Sequence, residues 1–398
     1  MATATTEYPT AYGDGGMAEQ DPRDWYSAAC RNIRSVLASA NVCGEEVSCV
    51  CFDAATHTAV LLDEEFRVLR RAIYWTDTRS RKQAERLQRE YGADIFRRFK
   101  HYPDTIWTLP QLLWVKENEP EIWTKTKRVL FAKDYVRHCF TGDFVTDCIE
   151  AQGSMFYDFD AACWSAPYLA MLGLTNENLP RLVRPLDEAG KILPNAAKAS
   201  GLAAGTPVIC GATDTAMEVF AAGAVKRGDM TVKLATAGRI CLVTDKLIAD
   251  EQLVSYSHVA EGLYYPGTAT KSCAASLRWF RDTFGGDYAA FDETAGNIPA
   301  GSGGLLFHPY LNGELTPYGD PALRGGFTGV SAAHTKAHFA RAVMEGVALS
   351  LKDCLRYLKE KGYPISDSGV ILGGGAKSAL WRQITANALN LRLVTVEN

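Results

Sequence analysis

Three short runs in this chain combine small residues with a polar side chain, and each suits a different part of group-transfer chemistry. Gly211-Ala212-Thr213-Asp214-Thr215 follows an apolar run that reads as a strand, and the strand-end loops of α/β sheets are where ligand-handling residues collect. A carboxylate there can accept the proton of an alcohol. Asp214 equally suits the N-cap of a helix over residues 215–225. Leu234-Ala235-Thr236-Ala237-Gly238 is a turn of small residues between two β-rich runs. Its backbone N–H groups can approach phosphate oxygens, with the Thr236 hydroxyl as a further donor, and it also reads as a plain hairpin. Gly373-Gly374-Gly375-Ala376-Lys377-Ser378 stands between a strand and a helix. Glycines there let a flat or anionic ligand, a nucleotide above all, approach a helix N-terminus. The middle residue, Gly374, is expected both to permit that approach and to hold any positive φ, and a tight turn is the other reading of the run. Its spacing is neither that of a P-loop nor that of a dinucleotide fingerprint.

Two further polar positions break apolar patterns. His57 lies between apolar runs in AATHTAVLL, and Asp77 with Arg79 follows the apolar AIYW. Both places can face the hydroxyls of a sugar. A hydrogen-bonded core histidine and a helix cap are the alternatives.

The elements that must carry these residues can be read from periodicity. Asp21 and Pro22 open a helix over 22–40 whose Trp25, Ile33, Val36 and Leu37 fall largely on one side. Residues 47–52 are β-rich, 58–62 read as the partner strand, and 72–75 as a third strand. Helical stretches then dominate from 78 to about 174. A small-residue linker near 198–206 precedes a strand at 207–211, which places a domain boundary there. The second half reads as a strand, loop and helix over 208–225, strands at 231–236 and 239–244, a helix at 272–284 and a long helix at 335–361. A strand at 369–372 and a helix at 378–389 follow. Mixed strands and helices joined by Gly-rich turns give an α/β class.

Bulk properties narrow the function classes. At 398 residues the chain exceeds one ordinary core, and two domains of roughly 200 residues are expected. Apolar residues at 47% and charged residues at 22% describe a globular protein with a large core. The formal charge of −4 and the absence of Lys/Arg runs argue against nucleic acid as a partner. No apolar window reaches membrane-spanning length, and the opening MATATTEYPTAYGDGG has neither the basic start nor the apolar stretch of a secretion signal. A cytoplasmic location without membrane contact is therefore expected. The eleven cysteines, of which only Cys49 and Cys51 are close-spaced, read as buried free thiols.

Taken in order, these residues resemble the FGGY carbohydrate kinases. Gly325-Gly326-Phe327-Thr328-Gly329-Val330, seven residues, then His338-Phe339-Ala340-Arg341-Ala342-Val343-Met344-Glu345 fits the C-terminal signature of that family at every constrained position. The run Leu109 to Asn118 is similar to the earlier signature, with Gln111 where a lysine is usual. Similarity also runs through Trp75-Thr76-Asp77-Thr78-Arg79, through Leu311-Asn312-Gly313-Glu314 and to the triple glycine, so it covers nearly the whole chain. The resemblance implies the actin-like (ribonuclease H-like) duplicated α/β architecture of sugar kinases and ATPases. It implies a sugar-binding domain over 1–204 and a nucleotide-binding domain over 205–398, closing over sugar and MgATP.

By the same resemblance Asp214 is the catalytic base. Thr56, His57, Asp77, Asp214 and Thr215 face the sugar, while Thr236, Ala237 and Gly238 with Gly373, Gly374, Gly375, Ala376 and Lys377 hold the nucleotide. ATP and Mg2+ are the implied cofactors, a small sugar the substrate, and a homodimer one expected assembly. The stretch around His57 is similar to the sugar-contacting Met-His pair of the xylulokinases, with Thr56 in the Met position. Thr215 stands where an Asn usually follows the catalytic Asp. D-xylulose is therefore the first expected substrate, as part of xylose metabolism. The family opens with a strand and a Gly/Thr-rich phosphate loop, and nothing like it precedes Tyr8; it also continues beyond the strand that ends near Asn398. A second expectation follows from that: a kinase-fold protein that binds sugar or nucleotide with weak turnover or none. An actin-like filament or chaperone ATPase shares the architecture without the signature that ends at Glu345.

Overall fold

Asp21 accepts a hydrogen bond from the Arg23 N–H at 3.0 Å and Pro22 takes the first helical position. The helix so begun runs from Pro22 to Ala40, buries Trp25, Ala28 and Cys30, and ends at Asn41 in the left-handed region. The computed structural model describes residues 1–247 and 249–396, so the last two positions of the expected second domain lie outside the described residues. The chain forms two compact units, Met1–Glu218 and Val219–Asn398.

In the first unit the strand Val50–Cys51 pairs in parallel with Pro207–Ile209, which pairs antiparallel with Glu188–Lys191. The run at 58–62 is not its partner. Ala59–Leu62 pairs antiparallel with Arg128–Phe131 instead, because the intervening segment turns the chain away: Ala54 bridges to Thr213 and His57 takes φ +70. The third short strand, Ala72–Ile73, pairs with Met17–Gln20 and this with Ala11–Gly13; neither N-terminal strand was read from the sequence. The stretch from 78 to 174 holds the helices Arg81–Phe99, Thr108–Asn118 and Ala132–Thr141. Strands at Arg128–Phe131, Val145–Asp147, Tyr157–Asp158 and Cys163–Trp164 interrupt it. Val60, Leu62, Leu130, Phe140 and Val208 form one apolar core.

The second unit is built on a six-stranded sheet. Its order is Val254–Ser257, Tyr264–Gly267, Gly238–Leu242, Met230–Leu234, Ser368–Leu372 and Arg392–Val394. Met230–Leu234 and Gly238–Leu242 form a tight antiparallel hairpin with Leu234 opposite Gly238. The last three strands of the order run parallel to one another. The long helix Lys336–Glu360 buries Ala340, Val343, Val347, Leu351, Cys354 and Leu358, the spacing of three and four that makes one continuous apolar stripe. That stripe packs with Val232, Leu234, Ile371 and Trp381 in a single core.

All eleven cysteines are free thiols, but their burial is divided: Cys30, Cys210, Cys241, Cys273 and Cys354 are buried while Cys43, Cys49, Cys51 and Cys163 are exposed. Cys51 and Cys163 lie in the two-residue strands Val50–Cys51 and Cys163–Trp164, and an apolar neighbourhood in sequence does not reveal their exposure. Among the described residues no helix is long and apolar enough to cross a membrane.

Candidate active site

Parallel pairing decides where the glycine-rich run goes. Lys233 stands beside Leu372 in register, so both strands end at the same edge and the turn at 235–237 meets the loop that starts at Gly373. Between them opens a cavity of about 670 Å³ in the second unit, lined by Thr236, Gly374, Gly375 and Lys377 from the expected nucleotide residues. Ala237, Gly238, Gly373 and Ala376 belong to the same two turns without lining it. Gly238 is buried, and its N–H donates to Thr270 Oγ1 at 3.0 Å. Gly373 has φ +89 and packs against Leu234.

The cavity has a charged side and a flat apolar side. Arg278 and Lys377 reach it, and the Arg278 Nη2 donates to Thr236 Oγ1 at 2.8 Å, so the Thr236 hydroxyl keeps its own proton to donate. Leu277, Tyr288 and Trp381 supply apolar walls. The indole N–H of Trp381 is tied to the Met344 carbonyl at 3.0 Å. Ser378 caps the following helix, accepting from the Trp381 N–H at 3.0 Å and donating to Asp292 Oδ1 at 2.7 Å. An ideal Cβ on Gly374 meets no atom within 4 Å, so this glycine leaves open space where a side chain would stand. Two cations, planar walls and an open glycine match the needs of an adenine nucleotide.

In the first unit, Gly211 lets the strand end come close to its neighbour: its φ is +74 and a Cβ there would lie 2.1 Å from the Phe52 carbonyl oxygen. The chain then reaches Asp214, whose N–H donates to the Ala54 carbonyl at 3.0 Å. Asp214 begins the helix Asp214–Ala221, and its Oδ1 accepts from the Thr215 N–H at 2.6 Å and the Thr215 hydroxyl at 3.3 Å. Its Oδ2 carries no hydrogen bond among the described residues, and the residue is exposed. The Ala54–Thr213 bridge therefore brings Asp214 and Thr215 beside the segment that holds Thr56 and His57. Asp53, on the same segment, has its carboxyl pushed above the usual range by desolvation and by the negative charge of Asp214. Asp53, Ala55, Thr58, Tyr74 and Lys133 also border a smaller cavity of about 300 Å³; none of the expected sugar residues lines it.

Asp77 sits in a separate ion-paired knot. It is 1% exposed, Oδ2 accepts from the Ala18 N–H at 2.6 Å and Arg79 Nη2 at 2.7 Å, and Oδ1 accepts from the Arg79 N–H at 2.8 Å. Arg79 also pairs with Glu19 at 2.8 Å and lies over the Trp114 ring at 4.9 Å. Both oxygens of Asp77 are thus engaged.

Sequence reasoning missed Arg278, Tyr288, Asp292 and Trp381. Arg278 and Trp381 lie one turn inside helices that were read correctly, and the helical positions nearest the turns were the available signal.

The comparisons with known proteins bear on the family and the fold. The profile described as FGGY family of carbohydrate kinases, N-terminal domain, matches residues 1–221, and the C-terminal domain profile of the same family matches residues 241–398. The xylulose kinase of Bacillus subtilis (strain 168) is 33% identical over 402 residues, covering 100% of this chain and 80% of that protein. The gluconokinase of the same organism is 27% identical, covering 98% and 79%. Among solved structures, a xyloylose kinase from Brucella ovis superimposes with a TM-score of 0.90 at 30% identity, covering 98% of this chain and 81% of that one. Plasmodium falciparum glycerol kinase with ADP also reaches a TM-score of 0.90, at 16% identity and with 99% and 81% covered, a likeness of fold alone.

Proposed function

This chain belongs to the FGGY family of carbohydrate kinases, and from that premise we propose that it phosphorylates a small ketose, D-xylulose first, with Asp214 as the base. The fold is the two-domain, actin-like α/β fold of sugar kinases. Xylulose kinases are the relatives that support the pentulose, while a gluconokinase at 27% identity makes an aldonate the main competitor.

The observation that carries the reading is Asp214 itself: a carboxylate at a strand-to-helix turn with Oδ1 pinned by Thr215 and Oδ2 unshared. Transfer to an alcohol needs a group that takes the hydroxyl proton as the new bond forms, and a carboxylate can take it because the hydroxyl becomes acidic only late. The pinned Oδ1 holds the side chain in one rotamer, so Oδ2 is aimed before sugar arrives. Thr215, and Thr56 and His57 from the segment bridged through Ala54 to Thr213, are the proposed sugar contacts, and the first unit is the proposed sugar-binding domain.

The cavity of the second unit is the proposed ATP site. Gly374 admits the ligand backbone-close, Trp381 and Tyr288 face a ring, and Lys377 and Arg278 with the Thr236 hydroxyl suit phosphate oxygens. Among the described residues no three His, Cys, Asp or Glu side chains converge to hold a metal. Mg2+ in such enzymes is held largely by phosphates, water and one or two carboxylates, so it is expected to enter with the nucleotide. MgATP, when bound, supplies the phosphoryl group and neutralises its charge.

The test is ADP release by the full chain over a panel of ketoses, polyols and gluconate, with Asp214→Asn alongside. D-xylulose is expected to give the highest kcat/KM. A higher value with gluconate or glycerol would replace the substrate, and no sugar-dependent release from any member would overturn the reading.

A further inference from the structure

His57 is the one expected sugar contact whose backbone is strained. Its φ is +70, a left-handed conformation that a non-glycine residue keeps only when its surroundings over-determine it. Three neighbours do so. The His57 N–H donates to Glu150 Oε1 at 3.0 Å, the His57 carbonyl accepts from Thr108 Oγ1 at 2.7 Å, and the ring lies 4.6 Å from that of Trp107. Gly153 makes room, since a Cβ there would stand 1.8 Å from the His57 Nδ1.

Glu150 is the unusual member of this set. It is fully buried, on the short helix Cys148–Gln152, and its Oε2 makes no hydrogen bond among the described residues. The cations behind it are committed elsewhere: Lys133 pairs with Asp134 at 2.5 Å and Asp147 at 2.7 Å, and Arg137 with Asp134 at 2.8 Å, all four side chains at 0% exposure. Asp147 in turn caps the helix of Glu150, accepting from the Ile149 N–H at 2.8 Å and the Glu150 N–H at 3.1 Å. Burying an acid costs folding energy unless its oxygens are hydrogen-bonded or paired, and among the described residues this carboxyl accepts a hydrogen bond from the backbone of His57.

We propose that Glu150 is a positioning residue for sugar binding, holding the His57 backbone in its left-handed turn and so aiming the His57 ring. The proposal rests on the reading of His57 as a sugar contact. Burial pushes the Glu150 carboxyl well above the usual range, against the pull of the Lys133 charge, and the bond to His57 needs only an acceptor oxygen. A glutamine oxygen can do the same. A methionine of similar volume cannot, and the ring is then free to leave its place.

The experiment measures D-xylulose and ATP binding by titration calorimetry, with thermal melting, for wild type, Glu150→Met, Glu150→Gln and His57→Ala. Glu150→Met is expected to weaken sugar binding on the order of tenfold with ATP binding within about twofold of wild type, and Glu150→Gln to restore sugar binding. Glu150→Ala removes the same acceptor without adding bulk and replaces the methionine variant if that does not fold. Unchanged sugar binding on losing the acceptor, equal loss of both ligands, or a Gln variant as poor as Met would overturn the inference. Unchanged sugar binding in His57→Ala, or none in wild type, would instead overturn the underlying reading of the sugar site.

Discussion

A Cβ on Gly373 would stand 2.6 Å from the carbonyl oxygen of Leu234, so the two strand ends touch as closely as backbone permits. Gly373 also has φ +89, and both facts demand glycine at this place. Gly374, expected to carry the strain, does not: it lies in a helical turn over Gly374–Lys377 with open space at its Cβ. The strain belongs to the first glycine and the open space to the second.

The pair should separate structure from binding. Gly373→Ala is expected to lower stability by about 2 kcal/mol or more, seen in urea unfolding. Gly374→Val should melt near wild type and weaken ATP binding at least about tenfold, with sugar binding unchanged, because its side chain fills the ligand's space. An unfolded Gly374→Val, or equal loss of both ligands, would make the loop purely structural.

Asp214→Asn keeps the shape of the helix start and removes the proton acceptor. Turnover is expected to fall by ~10² to 10⁴ while D-xylulose still binds. Wild-type turnover in this variant would take the base role away from Asp214.

Asp77 and Arg79 are expected to report on stability first. Breaking a buried ion pair leaves an uncompensated charge, so Asp77→Ala should cost on the order of 3 kcal/mol. Chemical denaturation measures it, and sugar affinity in the folded fraction should change less than about threefold. A large affinity loss without destabilisation would make Asp77 a direct sugar contact.

Asp53 carries a pH signature. Its folded pKa is raised, by desolvation first and by the Asp214 charge second, so the folded state holds its proton more tightly than the unfolded chain. That stabilising contribution is complete below the unfolded value near 4 and is lost as pH rises through the folded value. Asp53→Asn should therefore melt higher than wild type at pH 7, with the gap closing at about pH 4 and below. A gap that widens in acid would reverse the sign and refute the desolvated, charge-opposed placement.

Much of this was legible because it is local. The helix from Pro22 announces itself through Asp21, the long helix through Ala340, Val343, Val347 and Leu351, and the hairpin through its small-residue turn. Gly211, Asp214 and the triple glycine were found because turns of that kind need those residue types. What was missed depends on distant partners. Val50–Cys51 finds its neighbour at Pro207–Ile209, and no two-residue strand can name a partner so far away. The closed knot of Asp77 requires Ala18 and Glu19, from strands too short to show periodicity. Tyr288 and Asp292 come from a helix, Tyr288–Gly296, whose inward face is chosen by packing.

The parallel register of Thr231 with Val370 also sets a clock for assembly. The two strands that end at the proposed nucleotide cavity are separated by about 140 residues of chain, and such non-local pairings slow folding because loop closure precedes any gain from contact. A nascent chain that has emerged only through the long helix, Lys336–Glu360, owns the hairpin but not the glycine loop. It carries Thr236, Arg278 and Tyr288 of the proposed ATP site but not Gly374, Lys377 and Trp381. A nucleotide bound as proposed would therefore stabilise the assembled cavity by mass action, since Gly374, Gly375, Lys377, Ser378 and Trp381 join its lining last.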